Sequence, residues 1–272
     1  MNKFSDLLVR AVAAIIGLVI LVFCIMFGPW TFFAVFFLIT MLCIREFVRL
    51  GELPVPQVFW LFITSAITFT MLSLIAMGNM QTKWLIVMVP AMLIGLIIQL
   101  YVPSARPIRN MAVMFLGIGY VVIPVSMLSF IVFYQGVFTP ILVVGLFTLI
   151  WCQDTGAYFF GSAFGKHKLF ERISPKKSWE GAIGGFIITM IGAFAMSQVF
   201  EDLSVIQWLI SGLVISISGI FGDLVESFMK RVAMAKDSGR GIPGHGGFLD
   251  RFDSLLFSAP FFLLLLLIFD LL

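Results

Sequence analysis

The stretch "GHGGFLDRFDSLLFSAPFFLLLLLIFDLL", residues 244–272, decides the fold class of this protein. Beyond residue 253 its only charged side chain is Asp270. An α-helix needs roughly 20 apolar residues to cross about 30 Å of hydrocarbon, and this run has that length. The stretch therefore predicts a membrane-spanning helix that begins directly after a polar segment containing glycines, a histidine and two aspartates.

Similar apolar runs recur along the whole chain. Of its 272 residues, 61% are hydrophobic and only 11% are charged, which excludes an ordinary soluble domain. Each helix satisfies its own backbone hydrogen bonds in lipid, so such runs favour a helical bundle. We predict an all-α polytopic membrane protein with about nine transmembrane helices. The predicted spans are residues 8–27, 30–47, 56–77, 84–102, 110–134, 138–162, 179–200, 204–231 and 250–271.

The basic residues predict an orientation for these spans. All of the 17 lysines and arginines except Lys83 fall on one side of the predicted bundle. Cytoplasmic loops carry an excess of Lys and Arg, so we expect the N-terminus in the cytoplasm and the C-terminus on the opposite side. We further expect a multi-pass protein of the cell inner membrane, with its active site facing the cytoplasm.

The polar residues are unevenly distributed between the two halves. Residues 1–140 are predicted to be scaffold helices, and the charges of "IREFVRLGE", residues 44–52, are expected to meet lipid headgroups. Residues 141–272 are predicted to be the catalytic region, with cytoplasmic loops at 163–178 and 232–249. We expect both regions to form one integrated membrane domain.

One predicted helix carries a row of small residues that leads to a carboxylate. In "SGLVISISGIFGDLVESFMKR", residues 211–231, Gly212, Ser216, Gly219 and Asp223 step by four, three and four. This spacing places them on one helix face, where small side chains allow a neighbouring helix to approach closely. We therefore expect Asp223 at a helix–helix seam. Pairing of Asp223 or Glu226 with Lys230 is a simpler alternative, and it is compatible with metal binding.

Two further segments place charges near the same membrane surface. The loop "GKHKLFERISPKKSWEG", residues 165–181, has lysines that suit either a polyphosphate or anionic lipid, and it ends with Ser178 as a predicted N-cap and Glu180 in the first helical turn. In "WCQDTGAYFFG", residues 151–161, Asp154 either faces a polar cavity or reaches the interface as a capping carboxylate.

The glycine-rich segment "KDSGRGIPGHGGFLDRFD", residues 236–253, has the composition of a phosphate-binding loop. Glycine lets backbone N–H groups approach an anion closely. Asp250 and Asp253 lie three residues apart at the start of the last helix, and carboxylates of this kind suit Mg²⁺ that also contacts a substrate phosphate. Together with Asp223 and the lysines, they predict phosphoryl or nucleotidyl transfer to a lipid.

Residues 227–253, "SFMKRVAMAKDSGRGIPGHGGFLDRFD", resemble throughout the signature of the phosphatidate cytidylyltransferase (CDP-diacylglycerol synthase) family. "DTGAYFFG" and "SPKKSWEG" resemble two further blocks of that family. The resemblance implies a reaction of CTP with phosphatidate, dependent on Mg²⁺, that gives CDP-diacylglycerol and pyrophosphate in phospholipid biosynthesis. It also implies membrane lipid and no nucleic acid as partners. A second cation and a homodimer are left open.

The candidate site residues divide into three predicted roles. Metal ligands are Asp223, Asp250 and Asp253. Catalytic residues are Asp223, Asp250, Lys230, Arg231 and His245, the last either donating a hydrogen bond to a phosphate or bracing the glycine loop. Substrate-binding residues are Lys176, Lys177, Ser178, Lys236, Arg251, Gly246, Gly247, Asp154 and Glu226.

Two other functions fit a membrane bundle with acidic residues. A CTP-dependent membrane lipid kinase would use a similar basic face but would release CDP instead of pyrophosphate. A transporter would carry polar residues at mid-membrane in several helices, whereas here the acidic residues cluster near one interface.

Overall fold

The computed structural model describes residues 16–133, 136–235, 238–239 and 247–269. Among these residues, eight helices are long and apolar enough to cross a membrane. They coincide with eight of the nine predicted spans, and the chain is a multi-pass membrane protein. The first predicted span, 8–27, is represented by the shorter apolar helix Ile16–Phe27, and the rest of that range lies outside the described residues. The predicted orientation of the termini stays a prediction.

The chain packs as two units, which differ from the functional division predicted at residue 140. The N-terminal unit comprises Met1–Phe138 and Ala235–Arg251, and the C-terminal unit comprises Thr139–Met234 and Phe252–Leu272. The described residues 238–239 and 247–251 thus pack with the N-terminal helices, although their sequence neighbours belong to the other unit.

The N-terminal unit is built from six α-helices. They are α1 (Ile16–Phe27), α2 (Pro29–Gly51), α3 (Val55–Ala76), α4 (Met88–Tyr101), α5 (Pro107–Leu116) and α6 (Ile123–Val132). A 3₁₀ turn, Thr82–Val87, leads into α4, so that Thr82–Tyr101 is one span. A π-helical segment, Gly117–Val122, joins α5 to α6, so that Pro107–Val132 is also one span. Proline in the first turn marks the start of α2, α3 and α5, because it lacks the N–H that has no partner there anyway.

The C-terminal unit contains four helices and a small β-ribbon. Its elements are α7 (Ile141–Phe164), β1 (Lys168–Phe170), β2 (Ser174–Ser178), α8 (Trp179–Val199), α9 (Val205–Val232) and α10 (Leu249–Ile268). Only the part of α10 from Phe252 onward belongs to this unit. The ribbon is antiparallel and irregular in register, with Lys168 opposite Ser178 and Phe170 opposite Ser174. The sequence predicted only a basic loop between α7 and α8.

Close helix packing in the C-terminal unit depends on glycines. A Cβ added to Gly156 of α7 would lie 2.9 Å from the carbonyl oxygen of Gly184 and 2.9 Å from the Cα of Gly185, both on α8. The small-residue run at 181–185 therefore packs against α7 of the same chain.

Candidate active site

The small-residue face of α9 lies at helix seams, as its spacing predicted. Gly212 faces Ala193 of α8, and the hydroxyl of Ser216 donates to Oε1 of Gln153 on α7 at 2.5 Å. Near the other end of α9, a Cβ on Gly222 would lie 2.6 Å from the backbone oxygen of Asp253. The absence of a side chain at Gly222 lets α10 approach α9, which brings Asp253 close to the acidic residues of α9.

Three carboxylates meet at this crossing of α9 and α10. Oxygen atoms of Asp223, Glu226 and Asp253 all lie within 4.8 Å of one another. Asp253 also accepts a hydrogen bond from the backbone N–H of Ser254 at 2.7 Å. Ionised carboxylates this close repel one another, and neighbouring cations relieve that repulsion. We call these three residues the carboxylate cluster.

Two lysines supply positive charge to the carboxylate cluster. Nζ of Lys177 lies 2.6 Å from Oδ2 of Asp223, and Nζ of Lys230 lies 2.6 Å from Oε2 of Glu226. The side chain of Glu226 is fully buried, whereas that of Asp223 is 38% exposed. The pairing of Glu226 with Lys230, one turn apart on α9, is the simpler alternative that the sequence suggested, and it coexists with the cluster.

The β-ribbon brings Lys177 to α9. Lys177 lies near the end of β2, and its Nζ also contacts the carbonyl oxygen of Ile220 at 3.4 Å. Nε of Arg231 donates to the carbonyl oxygen of Ile173 at 3.3 Å, which ties the ribbon to the end of α9. Lys176, the neighbour of Lys177, is exposed.

The first turn of α8 has the cap that was predicted for it. The buried hydroxyl of Ser178 accepts a hydrogen bond from the N–H of Gly181 at 3.1 Å. Glu180 accepts from the backbone N–H groups of Lys166 and His167, and its Oε1 lies 2.6 Å from Nδ1 of His167. Both residues thus shape the loop, and the predicted role of Ser178 in binding substrate stays a prediction.

Asp154 lies in the same unit as the carboxylate cluster, within range of its charges. It is exposed on α7, and its charge acts on Asp253 together with the charges of Asp223 and Glu226. The structure therefore places four of the predicted acidic residues near one another in the C-terminal unit.

Ser238, Gly247 and Asp250 of the glycine-rich segment form a second polar cluster, which lies in the N-terminal unit. Oδ2 of Asp250 accepts hydrogen bonds from the N–H of Gly247 at 2.9 Å, the N–H of Ser238 at 3.2 Å and the hydroxyl of Ser238 at 2.9 Å. Arg251 is exposed. The predicted site residues Lys236, His245 and Gly246 lie outside the described residues.

Glu46 on α2 belongs to this second cluster, although it was not among the predicted site residues. Its side chain accepts from the backbone N–H of Leu249 at 2.9 Å and from the hydroxyl of Ser238 at 3.1 Å. The expectation that its charge meets lipid headgroups was wrong, because Glu46 is only 3% exposed. A carboxylate inside a predicted span is itself a signal of a polar partner. We call Glu46, Ser238, Gly247, Leu249 and Asp250 the loop anchor.

Comparison with known proteins identifies the family. A model of the cytidylyltransferase family matches residues 8–269. The chain belongs to the cytidylyltransferase family. It is 35% identical over 95% of its length to a phosphatidate cytidylyltransferase of Staphylococcus haemolyticus, of which it covers 98%. It is also 50% identical to one of Staphylococcus aureus strain COL, over 44% of this chain and 47% of that protein. One of Haemophilus influenzae is 44% identical over 47% of this chain and 46% of its own length.

Membership of this family makes the chain a nucleotidyltransferase. Both polar clusters of this cytidylyltransferase include residues of the signature-like segment 227–253: Asp253 in the carboxylate cluster, and Ser238, Gly247, Leu249 and Asp250 in the loop anchor.

Proposed function

We propose that this cytidylyltransferase transfers the cytidylyl group of CTP to phosphatidate, giving CDP-diacylglycerol and pyrophosphate for phospholipid biosynthesis. One observation carries the proposal: three carboxylates within 4.8 Å of one another, paired with two lysines, in a membrane-spanning member of this family. We infer phosphatidate as the lipid substrate from the names of the relatives, which are phosphatidate cytidylyltransferases.

The reaction makes modest demands on acid–base chemistry. A phosphate oxygen of phosphatidate forms a bond to the α-phosphorus of CTP, and the bond from that phosphorus to the oxygen bridging to the β-phosphorus breaks. Pyrophosphate leaves with the electron pair. The lipid phosphate is already anionic near neutral pH, so it attacks without a strong general base. The protein must therefore hold two anions together and offset their charge.

The lysines of the carboxylate cluster are suited to that task. Lys177 and Lys230 hold ammonium groups 2.6 Å from carboxylates and can exchange part of that pairing for phosphate oxygens. We assign the remaining predicted substrate contacts to the cationic side chains of Lys176, Arg231, Lys236 and Arg251, to the hydroxyl of Ser178, and to the backbone of Gly246 and Gly247. Asp154 and Glu226 orient the cations in this assignment.

A divalent cation fits the donor set of the carboxylate cluster. Hard oxygen ligands from separate residues, close enough to share one ion, are what Mg²⁺ takes in proteins. We propose that Asp223 and Asp253 hold Mg²⁺, with Glu226 beside them. When bound, the ion would neutralise charge on the transferring phosphate. The role of Asp250 as a ligand and the presence of a second cation stay predictions.

The proposed location follows from the charge distribution. We propose that the enzyme lies in the inner membrane with its basic side in the cytoplasm, where CTP is available. The lipid phosphate would then approach from the inner leaflet, at the depth of the helix ends that carry the lysines.

The test uses purified full-length protein in detergent with CTP, phosphatidate and Mg²⁺. We expect pyrophosphate and CDP-diacylglycerol to form in equal amounts, measured by a coupled pyrophosphate assay and by mass spectrometry of the lipid. Release of CDP with phosphorylation of the lipid would instead indicate a lipid kinase. Absence of a nucleotide-linked lipid would overturn the proposal.

A further inference from the structure

Glu46 is a buried carboxylate of the N-terminal unit whose partners lie far away in sequence. Its Oε2 accepts a hydrogen bond from the N–H of Leu249, 203 residues away, at 2.9 Å. The same oxygen lies 3.1 Å from the hydroxyl of Ser238, 192 residues away. The side chain therefore contacts the chain on both sides of residues 240–246. Burying a charge costs free energy unless the charge is hydrogen-bonded, so these hydrogen bonds explain why an acidic residue is tolerated here.

Asp250 joins the same two points from the other side. Its Oδ2 accepts from the N–H of Ser238 and from the N–H of Gly247. The hydroxyl of Ser238 lies 2.9 Å from that oxygen and 3.1 Å from Oε2 of Glu46. A hydroxyl has one proton, so Ser238 donates to one of the two carboxylates at a time and bridges them. The loop anchor is thus one connected network.

The glycines of this network leave room for the carboxylate of Glu46. A Cβ added to Gly239 would lie 2.5 Å from Oε1 of Glu46. A Cβ on Gly247 would collide with Oε2 of Glu46 and with the hydroxyl of Ser238. Neither glycine has a backbone conformation reserved for glycine. Glycine is therefore needed at both positions because a side chain there would occupy the space beside the Glu46 carboxylate.

We propose that Glu46 is a positioning residue for nucleotidyl transfer. It fixes Ser238 and the first residues of α10, and thereby sets the position of Gly247 and Asp250. This inference rests on the function proposed above, because it assumes that the glycine-rich segment handles phosphate. Misplacement of a positioned group by about 1 Å can cost on the order of 10²-fold in rate. Glu46 does not contact substrate in this proposal.

The first experiment compares Glu46→Ala with Glu52→Ala in the full-length protein. Glu52 follows the same helix, α2, and its side chain is 72% exposed, so it is a matched control. We expect Glu46→Ala to lower kcat/KM by about 10- to 100-fold, since the buried N–H of Leu249 loses its acceptor and Ser238 loses one of its two. We expect Glu52→Ala to keep the wild-type value. Equal activity of Glu46→Ala and wild type would overturn the proposal.

Two conservative variants separate hydrogen-bond geometry from charge. Glu46→Gln keeps an acceptor oxygen at the same distance from the backbone, whereas Glu46→Asp keeps the charge but shortens the side chain. A positioning role predicts that Gln restores activity to within about fivefold of wild type and that Asp does not. The reverse order would overturn the proposal in favour of a purely electrostatic role.

A double-mutant cycle with Gly239→Ala tests the crowding directly. We expect Gly239→Ala alone to reduce kcat/KM by about 10-fold, because the new methyl group displaces the Glu46 carboxylate. In the Glu46→Ala background the same change should cost less than about twofold, because the conflict is gone. Independent, multiplicative effects would contradict the proposed contact.

Hydrogen–deuterium exchange gives a readout that does not depend on activity. The amide of Leu249 should exchange at least about 10-fold faster in Glu46→Ala than in wild type or Glu52→Ala, because its acceptor is removed. If wild-type protein makes no CDP-diacylglycerol, the proposed function fails. The exchange measurement still tests the contact between Glu46 and the N–H of Leu249. If the wild type is active and the Leu249 amide exchanges equally fast in Glu46→Ala and wild type, only the proposed role of Glu46 is overturned.

Discussion

The carboxylate cluster and the loop anchor both gather acidic side chains, but the contacts described for them are of different kinds. In the carboxylate cluster, Asp223 and Glu226 face lysine ammonium groups at 2.6 Å. Among the described contacts of the loop anchor, Glu46 and Asp250 accept hydrogen bonds from backbone N–H groups and from the hydroxyl of Ser238. Side-chain cations can move to an incoming phosphate, whereas backbone donors cannot. The first arrangement therefore suits chemistry, and the second suits holding a segment in place.

The largest expected effect is the loss of activity in Asp253→Asn. We expect a decrease in kcat of at least about 10²-fold, because the variant would lose a proposed ligand of the cation that offsets negative charge in the transition state. Pyrophosphate release in detergent measures it. Asp202→Asn is the matched control, since Asp202 is an exposed acidic residue between α8 and α9. Wild-type activity in Asp253→Asn would remove the carboxylate cluster from the proposed mechanism.

The next effect concerns stability at the buried ion pair. Lys230→Met should destabilise the protein by about 3 kcal/mol, because it leaves the fully buried Glu226 without its ammonium partner. Thermal unfolding in detergent checks this. The double variant Lys230→Met with Glu226→Gln should be more stable than Lys230→Met alone, and Lys177→Met, at a more exposed pair, should destabilise less. Equal losses of stability in Lys230→Met, the double variant and Lys177→Met would mean that burial does not distinguish the two ion pairs.

A smaller effect is expected when the crossing of α9 and α10 is widened. Gly222→Ala places a methyl group 2.6 Å from the backbone oxygen of Asp253, so we expect a loss of about 1–3 kcal/mol and reduced activity. Gly119→Ala is the control, because nothing lies within 4 Å of its added Cβ. Thermal unfolding and pyrophosphate release are measured together. Wild-type stability and activity in Gly222→Ala would show that close approach of the two helices is not needed to hold the cluster.

The smallest effect is expected for an acidic residue outside both clusters. Glu52 pairs with Arg109 at 3.4 Å, and the two side chains are 72% and 35% exposed. Glu52→Gln should change stability by less than about 1 kcal/mol and leave turnover unaltered, since exposed ion pairs contribute little. Thermal unfolding at low and at moderate salt checks it. A larger effect would mean that the loop anchor extends beyond the end of α2.

The sequence predicted the carboxylate cluster better than the loop anchor. The spacing of Gly212, Ser216, Gly219 and Asp223 placed that face of α9 at a helix seam, as the contacts with α7, α8 and α10 confirm. Glu46 gave a weaker signal, since a single acid near two arginines resembles a charged helix end. Its partners come from a segment that the sequence places among the C-terminal helices.

The sequence alone determined the helices and the family of this protein. Apolar runs of membrane-spanning length leave the backbone no other way to satisfy its hydrogen bonds, so local composition is sufficient. Tertiary structure decided which polar groups meet. No local pattern predicts that Lys177 contacts Asp223, because α8 separates the two in the chain. No local pattern predicts the contact of Glu46 with Leu249 either. Local rules fix neighbours within a few turns of a helix, whereas partners far apart in sequence are fixed only by how helices pack.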